Sequence, residues 1–136
     1  PTRRSSDLIA ATSFVIAVVS GTSAWAQNIP VVSRCQPQDY VEVNAPTTAL
    51  SFSGSNYTPR CIKVKAGTQV TLPASHHHPL QGMQDIDGVA NPIFDELGGA
   101  VTNKTVVLTA PGFYGYYCEA HSDEFGNGMA GSIWVE

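Results

Sequence analysis

The chain has 136 residues, of which 43% are hydrophobic and 13% charged, and its formal net charge at pH 7 is -4. Seven basic residues against eleven acidic ones argue against a nucleic-acid partner, because nucleic-acid recognition usually needs a basic face. The acidic balance fits a role in solubility, and it also fits attraction to a cationic partner.

The first 26 residues have the pattern of an export signal. Two arginines provide a basic start, residues 8–19 form an apolar segment, and Ala24-Trp25-Ala26 is a small-x-small cleavage site. The apolar segment is shorter than the roughly 20 residues that cross a bilayer as a helix. Residues 1–26 are therefore predicted to be a signal peptide, with an uncleaved anchor as the alternative.

Residues 27–136 are predicted to form a single exported domain, either periplasmic or secreted, without stable membrane insertion. They amount to about 110 residues, which is the size of one domain. Cys35 and Cys61 lie 26 residues apart without histidines nearby, and a disulfide between them would suit an oxidising compartment. Cys118 is then the free thiol.

Short alternating segments separated by Gly, Pro and Asn follow one another along the chain. The segments 60–65 and 69–72, with Ala66-Gly67-Thr68 between them, predict a β-hairpin. Many short strands with such turns are typical of an all-β Greek-key sandwich or barrel, here with about seven or eight strands. The predicted strands are residues 40–43, 49–52, 60–65, 69–72, 104–108, 113–118 and 132–135.

Residues 73–102 break the strand pattern and are predicted to be one long irregular connection. A connection of this length in a small domain is usually functional when it is ordered. It contains His76-His77-His78 near its start, and a short helical turn is expected around residues 93–97.

Cys118, His121 and Met129 lie within twelve residues of one another, beginning at the end of the predicted strand 113–118. Thiolate, imidazole and thioether donors favour copper over magnesium or calcium. If the strands 69–72 and 113–118 are neighbours, their ends bring one of the three upstream histidines to Cys118. Two histidines, one cysteine and a weak axial methionine are the donors of a blue-copper electron-transfer centre.

Four stretches of the chain carry a family resemblance: YTPRCIKVKAGTQVTL, HHHPL, APGFYGYYCEAH and GMAGSIWV. Together they resemble the cupredoxin family, in particular the small plastocyanin-like and azurin-like type 1 copper proteins. The resemblance implies one copper ion bound by His78, Cys118, His121 and Met129, with the methionine as the axial thioether. His76 is the alternative to His78, and Met83, which lies close to the histidines in sequence, is the alternative to Met129.

Two positions depart from the family pattern. Seven residues separate His121 from Met129, where plastocyanin-like loops are shorter, so the axial geometry is open. Pro79 follows His78 where many relatives have asparagine. Proline has no N–H, so the backbone hydrogen bond that this position often donates to the cysteine sulfur is missing, and other contacts should tune the potential.

The resulting hypothesis is a monomeric copper protein that carries single electrons between redox partners. Four protein donors leave no open position for a substrate, which argues against an enzyme and against any catalytic residue. A copper-delivery protein with the same donors is the alternative, supported by the triple histidine. Acidic residues flank the site and favour a redox partner with a basic patch, docking at a His121 edge surrounded by Pro79, Leu80 and Gly82.

Overall fold

The computed structural model describes residues 29–136, which form ten strands and one 3-10 turn, Pro37–Asp39. The signal peptide predicted over residues 1–26 lies outside this range. Within residues 29–136, no helix has the length and hydropathy that crossing a bilayer requires. The strands are β1 (Val41–Glu42), β2 (Thr47–Ala49), β3 (Ser51–Ser53), β4 (Asn56–Thr58), β5 (Cys61–Val64), β6 (Thr68–Leu72), β7 (Leu80–Gly82), β8 (Lys104–Leu108), β9 (Gly112–Ser122) and β10 (Gly128–Val135).

The larger sheet has five strands in the order β1-β5-β10-β9-β7. Strand β5 lies parallel to β1 and β10, whereas β9 pairs antiparallel with β10 and β7. Successive side chains of a strand point to opposite faces, so every second residue of β9 enters the core. Tyr114, Tyr116 and Cys118 are these inward residues, and each is at most 2% exposed.

The smaller sheet has the order β2-β6-β8, and it covers the inner face of the larger one. Val70 and Leu72 of β6 and Leu108 of β8 belong to the same buried cluster as Tyr116 and Ile133 of the larger sheet. Two sheets that share one hydrophobic core form a β-sandwich. The predicted all-β sandwich is therefore confirmed.

The structure has more strands than the seven or eight predicted. The predicted strand 49–52 is interrupted at Leu50, whose side chain is buried and whose N–H donates to the Thr71 carbonyl at 2.9 Å. Before this point β2 pairs with β6, and after it β3 pairs with β4. A single segment that reads as one strand therefore serves two sheets.

The predicted hairpin over residues 60–72 is wrong, because β5 and β6 lie in different sheets. The Thr68 N–H donates to the Lys65 carbonyl at 3.1 Å and closes the turn, but the other two turn residues bond elsewhere. The Gly67 N–H donates to the Leu108 carbonyl at 2.7 Å, and the Ala66 N–H donates to the Glu136 carbonyl at 2.8 Å. These bonds carry the chain from the larger sheet across to the smaller one. The alternation in each half was read correctly, but the pairing was not.

Apart from the short strand β7, the predicted long connection is ordered by hydrogen bonds to side-chain amides. Gln81 is 5% exposed, and its amide accepts from the Asp95 N–H at 2.9 Å and donates to the Asp95 carbonyl at 2.8 Å. The Asn91 amide donates to the carbonyls of Met83 and Gly115, both at 2.8 Å. Residues 93–97 form turns and not the expected helical turn. Strand β7 lies inside the connection and was not predicted.

The predicted disulfide between Cys35 and Cys61 is present. It joins the segment before β1 to the first residue of β5, with both cysteines at most 2% exposed. Cys118 is the free cysteine of the described residues, and it is fully buried.

Candidate metal centre

His78 and Cys118 are brought together by strand β7. Leu80 of β7 pairs with Cys118 of β9, so His78, two residues before β7, arrives beside the cysteine. The Glu119 N–H donates to the Pro79 carbonyl at 3.0 Å and fastens this part of the connection to β9. The pairing of β7 with β9 therefore positions His78 beside Cys118.

The strands at residues 69–72 and 113–118 are not paired with each other, because β6 and β9 belong to different sheets. A turn from Ser75 to His78, closed by two backbone hydrogen bonds of 3.1 Å, lies between β6 and β7. The chain changes sheets there. The two strand ends still lie at one pole of the sandwich, which is why the histidine and the cysteine meet.

His78, Cys118 and His121 form a compact group of metal donors, called here the donor group. The Cys118 Sγ lies 3.8 Å from His78 Nδ1 and 3.4 Å from His121 Nδ1. All three donor atoms lie within 4.8 Å of one another. Cys118 is fully buried, His78 is half-buried and His121 is exposed.

These separations fit a single metal ion. A divalent ion about 2.0 Å from an imidazole nitrogen and about 2.3 Å from a sulfur, with ligand angles of about 110–120°, holds the two donors about 3.5–3.7 Å apart. The observed distances of 3.4 and 3.8 Å bracket that range. Softness of the thiolate favours copper or zinc over the hard cations.

His76 and His77 do not join the donor group. Both side chains are exposed, and the group of possible metal donors found within residues 29–136 contains His78 and neither of them. The Phe52 ring packs against the His78 ring with centroids 4.7 Å apart, which holds that imidazole at the edge of the core. Among the three neighbouring histidines, His78 therefore has the position that the family resemblance implies.

Met129 is 1% exposed and lies in β10 opposite the stretch of β9 that carries Cys118 and His121. The ladder pairs Gly128 with Ser122 and Ala130 with Tyr117, and the register shifts between these two pairs. Residues 118–121 of β9 consequently face one residue of β10. This bulge re-aims Cys118 and His121 out of the regular pleat and places Met129 across from them.

The seven residues between His121 and Met129 form an ordered hairpin turn with its own internal hydrogen bonds. Its tip, residues 123–127, is organised by the Asp123 carboxylate, which accepts from the Phe125 and Asn127 N–H groups at 3.0 Å. The same carboxylate accepts from the Asn127 amide at 2.9 Å, and these bonds lower the Asp123 pKa. The additional residues therefore form a closed turn, after which Gly128 pairs with Ser122 of β9.

Met83, the alternative thioether, lies on the other face of the larger sheet. Its sulfur sits over Gly115, whose neighbours Tyr114 and Tyr116 point inward, so the glycine faces outward. The Ser33 hydroxyl lies 3.6 Å from this sulfur. Met83 consequently does not approach the donor group, whereas Met129 belongs to the buried cluster that contains Cys118.

The Cys118 sulfur has an unusual set of neighbours. Among residues 29–136, the groups within hydrogen-bonding distance of Sγ are the two imidazoles, and no backbone N–H is among them. Pro79 has no N–H, as the sequence implies. The Glu119 N–H is used by the Pro79 carbonyl. The missing backbone donor expected from the sequence is therefore a feature of the structure.

Two contacts around the donor group were missed by sequence reasoning. The Glu119 carboxylate accepts from the Gly99 N–H at 3.0 Å, and its second oxygen lies 3.5 Å from the Gln81 amide nitrogen. These bonds tie the long connection to the residue that follows Cys118. A buried glutamine within an irregular segment was the available signal, because a buried amide has to be hydrogen-bonded.

The surface around His121 differs from the expected one. Leu80 is 1% exposed and Gly82 is buried, so neither lines the exposed edge. Leu97 and Phe125 are exposed apolar side chains, at 98% and 73%. Leu97 lies two residues from the Gly99 that binds Glu119, whereas Phe125 lines a cavity with Met83 and Tyr117.

Comparison with known proteins gives plastocyanins and a related copper protein. The chain is 28% identical over 128 residues to the chloroplastic plastocyanin of Chlamydomonas reinhardtii, across 89% of this chain and 81% of that protein. It is 31% identical over 86 residues to the chloroplastic plastocyanin of Hordeum vulgare, across 58% of this chain and 54% of that one. A pseudoazurin from Sinorhizobium matches with a TM-score of 0.50 and 25% identity, covering 71% of this chain and 75% of the other. No family model matches the chain.

The sandwich, the bulged strand pair and the donor group define a small copper-binding β protein. With the plastocyanin and pseudoazurin matches, the chain is similar to the cupredoxins. A single copper ion is the cofactor that this similarity and the donor group imply. The similarity also supports copper-binding electron transfer as the general function.

Proposed function

We propose that the protein is an electron carrier with one type 1 copper centre, whose ligands are His78, Cys118, His121 and Met129. The observation that carries the proposal is the donor group, in which a buried sulfur lies 3.4 and 3.8 Å from two imidazole nitrogens. Copper bound there would supply a one-electron couple between Cu(II) and Cu(I). The protein's part is to hold the four donors in one arrangement for both states.

The burial of the ligands supports a carrier rather than a catalyst. Cys118 and Met129 are at most 1% exposed and His78 is half-buried, so solvent and substrate have little access from the core side. Three strong donors and a weak axial one leave no exchangeable position of the kind that metal catalysis uses. His121 is exposed, and its ring is the natural point for an electron to enter and leave.

Exposed apolar and acidic side chains support docking to a redox partner with a basic patch. Leu97 and Phe125 offer exposed apolar area, and electron-transfer partners meet through small interfaces that separate readily. Exposed carboxylates are also present and would attract a cationic surface. They belong to Glu96, Glu119, Asp123 and Glu124. We propose that the protein acts as a monomer in such encounters.

Export supports the same function. The Cys35–Cys61 disulfide is typical of an oxidising compartment. We propose that residues 1–26 are a cleaved signal peptide and that residues 27–136 function as one domain in the periplasm or outside the cell. Amino-terminal sequencing of the protein recovered after export should begin at Gln27. A protein that retains residues 1–26 would contradict this part of the proposal.

Copper delivery is the second candidate, favoured by the exposed His76 and His77 beside His78. The two functions can be separated with a His76→Ala, His77→Ala double variant. If the protein is a carrier, the wild type and the double variant should both show a reversible one-electron couple in voltammetry. The two proteins should also lose copper to a chelator at equal rates. If the wild type has no reversible couple and loses Cu(I) to the chelator several-fold faster than the double variant, the delivery function is correct instead.

A further inference from the structure

Tyr57 carries a hydroxyl group that the fold leaves without a partner. The residue is 3% exposed, and its ring packs edge-on against Tyr116 with centroids 4.9 Å apart. Within residues 29–136, its hydroxyl is the one buried side-chain nitrogen or oxygen without a hydrogen bond. An unpaired buried donor is costly, and such groups in native proteins call for an explanation.

The other tyrosines of the core region show that the fold can satisfy such hydroxyls. Tyr116 donates to the Arg60 carbonyl at 2.8 Å, and Tyr40 donates to the Ser132 hydroxyl at 3.0 Å. Tyr114 donates to the Ala110 carbonyl. Phenylalanine would fill the Tyr57 position with the same ring and without the unpaired group. Packing alone therefore does not account for the hydroxyl at Tyr57.

Tyr57 and Cys118 lie in the same part of the core, although the Tyr57 hydroxyl makes no hydrogen bond to Sγ in this structure. Tyr116 and Cys118 are two residues apart on the inward face of β9, and Tyr57 packs on the ring of the first. Tyr57, Cys118 and Met129 belong to the same buried cluster. A tyrosine hydroxyl is protonated at neutral pH and can donate one hydrogen bond.

The sulfur, for its part, lacks a donor. Pro79 cannot provide a backbone N–H, and the nitrogens that face Sγ are the Nδ1 atoms of His78 and His121. Nitrogens that bind a metal are deprotonated, so neither could donate to the sulfur of a metal centre. The metal also converts the thiol to a thiolate, which is a stronger acceptor, and hydrogen bonds to charged acceptors are shorter and stronger.

We propose that the Tyr57 hydroxyl donates a hydrogen bond to the copper-bound Cys118 thiolate and takes the place of the backbone donor that Pro79 removes. Tyr57 is then a positioning residue that tunes the centre without binding the metal. Hydrogen bonding at the cysteine sulfur is one of the means by which a protein sets the potential of such a centre. A donor at the sulfur withdraws negative charge from it and favours Cu(I). This inference rests on the proposed type 1 centre.

The test compares Tyr57→Phe with Tyr116→Phe, a matched loss of one hydroxyl from the same pair of rings. Tyr57→Phe should lower the affinity for Cu(I) relative to Cu(II) by about tenfold, which lowers the potential by about 59 mV for one electron. Its thiolate-to-copper charge-transfer band should move to longer wavelength. Without copper, Tyr57→Phe should be at least as stable as the wild type, because it loses an unpaired group.

Tyr116→Phe should behave in the opposite way. It breaks the bond to the Arg60 carbonyl and should lower stability, while the charge-transfer band and the potential stay as in the wild type. An unchanged band and potential in Tyr57→Phe, with a normal band in the wild type, would overturn the proposal and leave the proposed function intact. A wild type without any thiolate-to-copper band would overturn the proposed function itself, and the hydrogen bond with it.

Discussion

Replacing Gly128 with alanine should damage the hairpin end that carries His121. Gly128 has a φ of +119°, and an added Cβ would lie well inside contact distance of the His121 carbonyl oxygen and 3.2 Å from the His121 carbonyl carbon. The backbone conformation costs a non-glycine residue about 1–3 kcal/mol. Overpacking that the surroundings must relieve costs about another 1–3 kcal/mol. The free energy of unfolding should therefore fall by about 2–6 kcal/mol.

Gly98 provides the control, since its φ is +114° and no atom lies within 4 Å of an added Cβ. Gly98→Ala therefore carries the backbone strain without the collision. Urea unfolding of both variants without copper measures the difference between them. The copper-loaded Gly128→Ala protein should also show a changed charge-transfer band, because the His121 backbone has to move. Equal losses of stability in the two variants, with an unchanged band, would refute the importance of this close approach.

Three further changes test other parts of the site and the fold. Met129→Leu nearly conserves volume and should cost less than about 1.5 kcal/mol, yet it removes the axial donor and should raise the potential measured by voltammetry; an unchanged potential would remove Met129 from the ligand set. Phe125→Ser should slow electron transfer to a basic redox protein in stopped-flow measurements, whereas Val107→Ser, a 52% exposed site on β8, should not; equal rates would argue against docking near Phe125. The double change Cys35→Ser, Cys61→Ser opens a loop of 26 residues and should lower the free energy of unfolding by about 3.5 kcal/mol; a stability equal to that of the oxidised wild type would contradict this.

Alternation in the sequence predicted the strands well and their partners poorly. Residues 104–108 form the predicted strand residue for residue, because the regular alternation matches a strand with one buried face and one exposed face. The turn at Ala66-Gly67 was expected to close a hairpin, but its N–H groups bond to Leu108 and Glu136. These acceptors are some 40 and 70 residues away along the chain. Local patterns carry no information about such distant partners.

The metal-donor residues could be predicted from the sequence, but the strand pairings that position them could not. Cys118, His121 and His78 could be selected because few residue types bind copper and the chain has few of them. The structure brings these three together, while the part of Met129 stays a prediction. The bulge that sets four residues of β9 against Met129 could not be predicted, because it depends on the register of β10.

The environment of the sulfur was predicted in part. Pro79 showed from the sequence that a backbone donor is missing, because this follows from covalent structure alone. The unpaired Tyr57 hydroxyl could not be found in the same way, since its burial depends on the packing of two sheets. Leu80 and Gly82 were expected at the surface because they are close to His78 in sequence. They are buried because β7 joins the larger sheet.

The most direct test of the copper centre is the visible absorption spectrum of the copper-loaded, oxidised protein beside that of Cys118→Ser. Serine keeps the size of the side chain and removes the thiolate. The wild type should show an intense thiolate-to-copper charge-transfer band that one equivalent of reductant bleaches and reoxidation restores. The variant should lack this band while its circular dichroism shows an intact β fold. Equal weak absorption in the two proteins would contradict a copper–thiolate centre at Cys118.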